Sequence, residues 1–338
     1  MKWAIIVLIV LGGVFLFEFW EKDAQILVPS VSSREVVKQE TETLLEELTI
    51  PYLREREYAS QIGKRERYQE KQNYTSYLTS YVSDGLKING LLTIPRGEPP
   101  VEGWPAVVFV HGYIPPTLYK TTEKYVEYVD YLARNGLVVL KVDLRGHGES
   151  EGEPGGAYYS SDYIVDVLNA HDALRNLVGV NINKVGLWGH SMAGNVLMRA
   201  AVVKKDIPTV VIWAGAVYSY ADFAKYGISD NSYRPTGLTA ARQRKRQQIF
   251  DTYGQFDEKS DFWKRVVPLN FLTGVQTKFF LHHAIDDQVV NIGYSRDLKK
   301  ALDESGILVE SFEYGKGGHN ISGSSFGVAM KRTVEAFK

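Results

Sequence analysis

A chain of 338 residues with 44% hydrophobic and 23% charged side chains is long enough for one large α/β domain with an appendage, and too short for two full-sized enzymatic domains. Its formal net charge of -1 argues against nucleic acid as the main partner, because phosphate binding needs a concentrated excess of Lys and Arg. With no cysteine, disulfides, thiolate metal sites and cysteine nucleophiles are excluded together, and the redox compartment is left undecided.

Residues 3–17 are an unbroken apolar or glycine run, which reaches Trp20 if Glu18 sits at headgroup level. A bilayer span needs about 20 such residues. The bulky, charged stretch after it offers no small-x-small cleavage site, and Phe19 and Trp20 suit a membrane interface. The expectation is a single-pass anchor over residues 1–20. Lys2 and the α-amine precede the run, and Glu21 and Asp23 follow it, which places the amino terminus in the cytoplasm and the body outside. A cleaved signal peptide and a buried core helix are the other readings of such a run. Residues 21–73 are polar, with Glu, Arg, Lys and Gln scattered through 40–48 and 52–70. They read as a helical stalk or linker, or else as a helical cap touching the catalytic face.

From Tyr74 the pattern changes. Residues 74–83 and 86–94 alternate polar and apolar and are joined by Asp84-Gly85, a hairpin signal. Residues 106–110, 137–142, 185–188, 209–213, 275–282 and 308–314 are continuous apolar runs, as expected of strands buried on both faces of a parallel sheet. Helix-length segments over 121–134, 162–177, 192–203, 292–305 and 324–337 lie between or after them. The predicted fold class is α/β: a doubly wound, mostly parallel sheet with an antiparallel N-terminal hairpin, over residues 74–338. Ligands of such sheets sit at the carboxyl ends of the strands.

At one such end stands Gly189-His190-Ser191-Met192-Ala193-Gly194, a strand running into a helix through a tight turn. This is the layout of a nucleophile elbow, Gly-x-Ser-x-Gly, with Ala193 in the fifth position and Gly194 one residue later. Taken alone, five residues read equally well as a strand, a turn and a helix without chemistry. His111-Gly112-Tyr113 follows the strand at 106–110 and can aim the backbone N–H of Tyr113 at the point where Ser191 would attack. The N–H of Met192 is the second candidate oxyanion donor. Asp143 to Ser150 form a glycine loop read as scaffold, braced by an Asp143–Arg145 pair. Asp286 and Asp287 follow the strand at 275–282 and offer a carboxylate, and His319 follows the strand at 308–314 and offers an imidazole. Serine, acid and histidine occur in the order of an α/β-hydrolase triad.

The chain from Tyr74 to Lys338 resembles α/β hydrolases, and within them the catalytic domain of the prolyl oligopeptidase family and dienelactone-hydrolase-like enzymes. The resemblance rests on H-G-Y at 111–113, D-L-R-G-H-G-E-S at 143–150, G-H-S-M-A-G at 189–194, H-A-I-D-D-Q-V-V at 283–290 and G-G-H at 317–319. It implies Ser191 as nucleophile, His319 as base and Asp287 as triad acid, with Asp286 as the competing neighbour. His190 abuts Ser191 on the same turn and should point away; His111 and His147 belong to glycine loops, His171 to a helix, and His282 and His283 to opposite faces of a strand. No metal and no cofactor is expected.

Residues 217–270 form an insertion where this fold often carries a helical lid. Arg242, Arg244, Lys245 and Arg246 read as a solvated helix face or as a grip on an anion, and Tyr218, Tyr220, Phe223, Tyr226 and Tyr233 as a substrate pocket or as the lid's own core. The expected function is a membrane-anchored serine hydrolase acting through an acyl-enzyme on a small ester or a short peptide. The resemblance implies a gating β-propeller for the peptidases, and the stretch before Tyr74 is too short for its blades, which tilts the expectation towards esters. A catalytically silent binding protein of the same fold is the rival. Oligomeric state is not legible.

Overall fold

The computed structural model describes residues 45–230, 232 and 240–338, which belong to one compact unit spanning 42–338. The expected anchor over 1–20 lies outside the described residues. Among the described residues no helix is long and apolar enough to cross a membrane.

The elements run α1 (Ile50–Glu55), β1 (Glu66–Glu70), β2 (Tyr74–Ser83), β3 (Leu86–Pro95), β4 (Trp104–Val110), α2 (Val126–Arg134), β5 (Val138–Val142) and α3 (Asp162–Arg175). They continue as β6 (Val180–His190), α4 (Ala193–Val203), β7 (Thr209–Trp213), α5 (Ala221–Tyr226), α6 (Ala240–Tyr253) and α7 (Asp261–Val266). The chain closes with β8 (Lys278–Ala284), α8 (Gly293–Glu304), β9 (Val309–Tyr314) and α9 (Ser324–Phe337). The strands form a 9-stranded sheet in the order β1-β2-β3-β5-β4-β6-β7-β8-β9. Pairing is antiparallel from β1 through β3 to β5, and parallel from β5 onward. After β4 the chain goes to one side, to β5, and after β6 it goes to the other, to β7. The carboxyl ends of β4 and β6 therefore flank the point where the winding reverses, which is where such sheets open a crevice.

The continuous apolar runs are explained by burial on two faces. Val108, Leu140, Leu187 and Val210 point into a core with α3 and α4, while Val107, Phe109, Trp188 and Trp213 point into a second core with α2 and α9. Phe109 stacks on Trp188 at 4.0 Å between ring centroids.

The stalk expectation is corrected over residues 45–73. Leu45, Leu48, Ile50 and Leu53 are buried in the main core, Thr49 Oγ1 accepts from Tyr52 N, and Arg54 donates to Val202 O through Nε at 3.0 Å and Nη2 at 2.8 Å. β1 pairs antiparallel with β2 and is exposed throughout. Glu55, Glu57 and the charged residues of β1 face solvent, and the segment hides a small apolar set, each member of which stabilises the fold by about 1.5–3 kcal/mol when buried. The cap reading fails as well, because α1 packs where α4 ends at Val202 rather than where it begins beside Ser191.

The insertion at 217–270 carries α5, α6 and α7. Tyr220 stacks on Phe256 and meets Trp263, and Tyr253 lies flat on Phe262 at 3.8 Å; these rings join the main core, where Tyr159 of the body meets Tyr220 and Trp263. Tyr233 lies outside the described residues.

Candidate active site

β6 ends at His190, α4 begins at Ala193, and Ser191 between them has φ 56. A non-glycine residue in this left-handed region is strained, and such strain persists only where the surroundings over-determine it. Here Ser191 N donates to Trp213 O at 2.9 Å and Gly194 N donates to Ser191 O at 2.9 Å. A Cβ on Gly189 would come within 2.8 Å of the Ala193 methyl. The alanine in the fifth position of the elbow is thus accommodated by the glycine in the first.

The acid and base loops leave β8 and β9, which are paired in parallel up to Ala284 and Tyr314. Asp287 Oδ2 accepts from His319 Nδ1 at 2.8 Å and from His283 Nε2 at 3.2 Å, while Oδ1 accepts from Val289 N at 2.8 Å and Val290 N at 3.0 Å. Burial opposes the charge on Asp287, but the bonds from His283 and His319 outweigh it and hold the carboxyl well below the usual range. His283 is oriented in turn, because Val290 O accepts its Nε2–H at 2.9 Å and Ser295 Oγ lies 2.7 Å from Nδ1. Asp286 faces the other way and accepts from Gly317 N at 3.3 Å and Gly318 N at 2.8 Å. Of the two neighbouring carboxylates, Asp287 meets the imidazole and Asp286 braces its loop.

Tyr113 follows β4 on the loop of His111 and Gly112, and Met192 is the N-cap of α4, where helix N–H groups point out of the helix end. The loop is braced from below by His147, whose Nε2 lies 3.2 Å from Ile114 O, and by Asp143, which accepts from Tyr119 Oη at 2.5 Å and from Thr121 Oγ1. The expected Asp143–Arg145 pair does not form. Arg145 is taken instead by Asp166, with Nη2 2.7 Å from Oδ1, and by Asp84 at 3.2 Å.

His190 was expected to point away from the site; it points inward and is buried. Its Nδ1 lies 2.8 Å from Tyr125 Oη and its Nε2 lies 2.8 Å from His319 O. Burial first and the neighbouring His319 second push its pKa down to about 3. His282 and His283 do face opposite ways, toward Tyr314 Oη at 2.9 Å and toward Asp287. Among the described residues no group of three or more His, Cys, Asp or Glu is placed to hold a metal ion.

From the insertion, the Arg242 guanidinium lies 5.2 Å above the Tyr113 ring and Arg246 lies over Tyr159 and Phe250. Lys245 pairs with Asp162 at 2.6 Å. The basic run is therefore mostly docked on the body rather than fully solvated.

Residues 104–230 match the family described as serine aminopeptidase, S33, and residues 168–331 match that described as BAAT / Acyl-CoA thioester hydrolase C terminal. The thiohydrolase aneE of Aspergillus aculeatus is 32% identical over 129 residues, which is 38% of this chain and 37% of that protein. The chain thus spans little more than a third of the length of this curated relative. Acetyl xylan esterase 1 from Thermoanaerobacterium sp. superposes with a TM-score of 0.61 at 16% identity, covering 89% of this chain and 94% of that one. The acylaminoacyl peptidase of Pyrococcus horikoshii superposes with a TM-score of 0.59 at 21% identity, covering 79% of this chain and 42% of that one. The chain carries the α/β-hydrolase fold that these esterase and peptidase structures share.

Proposed function

We propose that Ser191, His319 and Asp287 are the nucleophile, base and acid of a Ser-His-Asp triad that cleaves small esters or short peptides through an acyl-enzyme. The observation that carries the reading is the 2.8 Å bond from His319 Nδ1 to Asp287 Oδ2 between loops of adjacent strands, beside a serine held at φ 56. With Nδ1–H committed to the carboxylate, the lone pair of His319 lies on Nε2 and can take the Ser191 proton as Oγ attacks an acyl carbon. The N–H groups of Tyr113 and Met192 receive the oxyanion. His319 then returns the proton to the leaving group, and water repeats the cycle on the acyl-serine. Asp287 remains ionised and stabilises the imidazolium.

The insertion at 217–270 acts as a lid in this reading, supported by Arg242 over Tyr113. Membrane attachment through residues 1–20, with the catalytic unit outside the cytoplasm, is proposed from the apolar run of the sequence alone. A fluorophosphonate probe tests the centre of the proposal. Labelling and ester turnover should both vanish in Ser191→Ala with thermal stability close to wild type; labelling that survives the substitution means another nucleophile or none of this chemistry.

A further inference from the structure

We infer that Tyr125 and His190 are positioning residues which tie the oxyanion loop to the loop of the base through one chain of hydrogen bonds. The inference rests on the triad reading above. The chain runs from Gly112 N to Tyr125 Oη at 2.9 Å, from Tyr125 Oη to His190 Nδ1 at 2.8 Å, and from His190 Nε2 to His319 O at 2.8 Å. Its donor and acceptor logic admits one solution. His319 O can only accept, so His190 Nε2 carries the proton and Nδ1 is a lone pair. The hydroxyl of Tyr125 must then donate to Nδ1, and its oxygen accepts the N–H of Gly112. Every link is satisfied with His190 neutral, the form that its burial favours.

The surroundings are shaped for this arrangement. A Cβ on Gly112 would come within 2.8 Å of Tyr125 Oη and 3.1 Å of His190 Nδ1, so no other residue lets the hydroxyl approach both. Tyr125 itself has φ 59, a left-handed conformation unfavourable for a non-glycine residue, and it caps α2. Its ring is fixed edge-on against Phe109 at 5.5 Å and Trp188 at 6.1 Å. The strained residue, the buried imidazole and the glycine thus serve one link between loops that leave different strands. His319 is consequently held at two points, its Nδ1 by Asp287 and its carbonyl by His190, and the next residue is held by Tyr128 Oη on Asn320 O at 2.8 Å. Asp286 supports the same loop from Gly317 N and Gly318 N.

A side chain that only stabilises the fold would change the melting temperature and leave the chemistry of the folded fraction alone. A positioning pair changes kcat and the pH profile. With a short-chain p-nitrophenyl ester, Tyr125→Phe should lower kcat by roughly 10- to 100-fold, the size of effect that small misplacements of catalytic groups produce, with KM little changed. The ascending limb of the kcat/KM profile should move to lower pH, because an imidazolium less well seated on Asp287 is less stabilised. His190→Gln, whose amide nitrogen can still donate to His319 O, should retain markedly more rate than His190→Leu, which cannot. Wild-type kcat and pH profile in Tyr125→Phe, or equal rates in His190→Gln and His190→Leu, overturn the inference; the second comparison stands even where Tyr125→Phe does not fold. Fluorophosphonate labelling separates the two levels. Labelling that survives Ser191→Ala sinks the triad reading and this inference with it, whereas labelling that requires Ser191 together with an unaffected Tyr125→Phe sinks this inference alone.

Discussion

Asp287 Oδ2 and His319 Nδ1 lie 2.8 Å apart although 32 positions separate the two residues in the chain. The proximity comes from the parallel pairing of β8 with β9, which brings His283 opposite Glu313 and Ala284 opposite Tyr314 and ends both strands at the same level. Asp287→Asn should therefore cost about 10⁴ in kcat, since an amide in this place supports the wrong tautomer. Asp286→Asn removes only the charge from the bonds to Gly317 and Gly318 and should cost no more than about tenfold. Steady-state kinetics on one soluble ester ranks the two, and the reverse order would move the acid by one position.

Ester cleavage should exceed amide cleavage. An alkoxide leaves with little need of protonation, whereas an amine demands a proton from His319 in the transition state. The measurement is kcat/KM for one acyl group presented both as p-nitrophenyl ester and as anilide. A preference for the anilide, after correction for intrinsic reactivity, would make the protein a peptidase.

Stability should fall with acid in two stages. Burial first, and the charges of Lys204, His319 and Arg332 second, push the imidazoles of His171, His190 and His282 respectively down to about 3. An ordinary histidine titrates near about 6.5, so the unfolded chain binds protons there that the folded chain refuses. This contribution is complete above about pH 6.5 and is lost as pH falls toward the folded value. Asp287, held below the usual range, contributes stability that is present above about pH 3.9 and lost on further acidification. Urea midpoints should thus decline steadily from pH 7 to 4.5. His171→Gln keeps a donor for Val185 O, which His171 Nε2 meets at 3.0 Å, and should reduce proton uptake on unfolding by up to about one. An unchanged slope would mean that His171 titrates normally.

Removing residues 1–24 should release the protein from membranes without loss of activity on a soluble ester. Leu53→Ala should cost about 2–5 kcal/mol in unfolding free energy, the range for a large side chain deleted from a core. A soluble full-length protein with an intact amino terminus would defeat the first expectation, and an unchanged melting temperature the second.

The strands from Tyr74 onward and their alternation with helices were legible because burial on two faces leaves unbroken apolar runs, and because glycine loops mark where they end; the order of the strands in the sheet and the exposed strand β1 were not. The elbow at Ser191 and the loops of Asp287 and His319 were legible for the same reason. Residues 45–70 were not. Leu45, Leu48, Ile50 and Leu53 are few among many charges, and only the partner surface on α4 reveals that they share a side. The partner of Arg145 was equally hidden, since Asp166 lies on a helix and Asp84 in a hairpin turn, whereas Asp143 was close in sequence and on the wrong side of the strand end. His190 was misjudged because adjacency to a nucleophile says nothing about Tyr125, which reaches it from another element.

Arg54 grips the Val202 carbonyl at the far end of the helix that begins two residues after Ser191. With 11 residues between Ala193 and Val203, that helix is about 16 Å long at its ordinary rise. Residues 48–54 are consequently fastened to that helix at two levels, by Arg54 on the Val202 carbonyl and by Arg199 on the Leu48 carbonyl. The segment ahead of β1 thus belongs to the frame that holds the helix behind Ser191, and a truncation that removed residues 45–55 would strip that helix of both contacts.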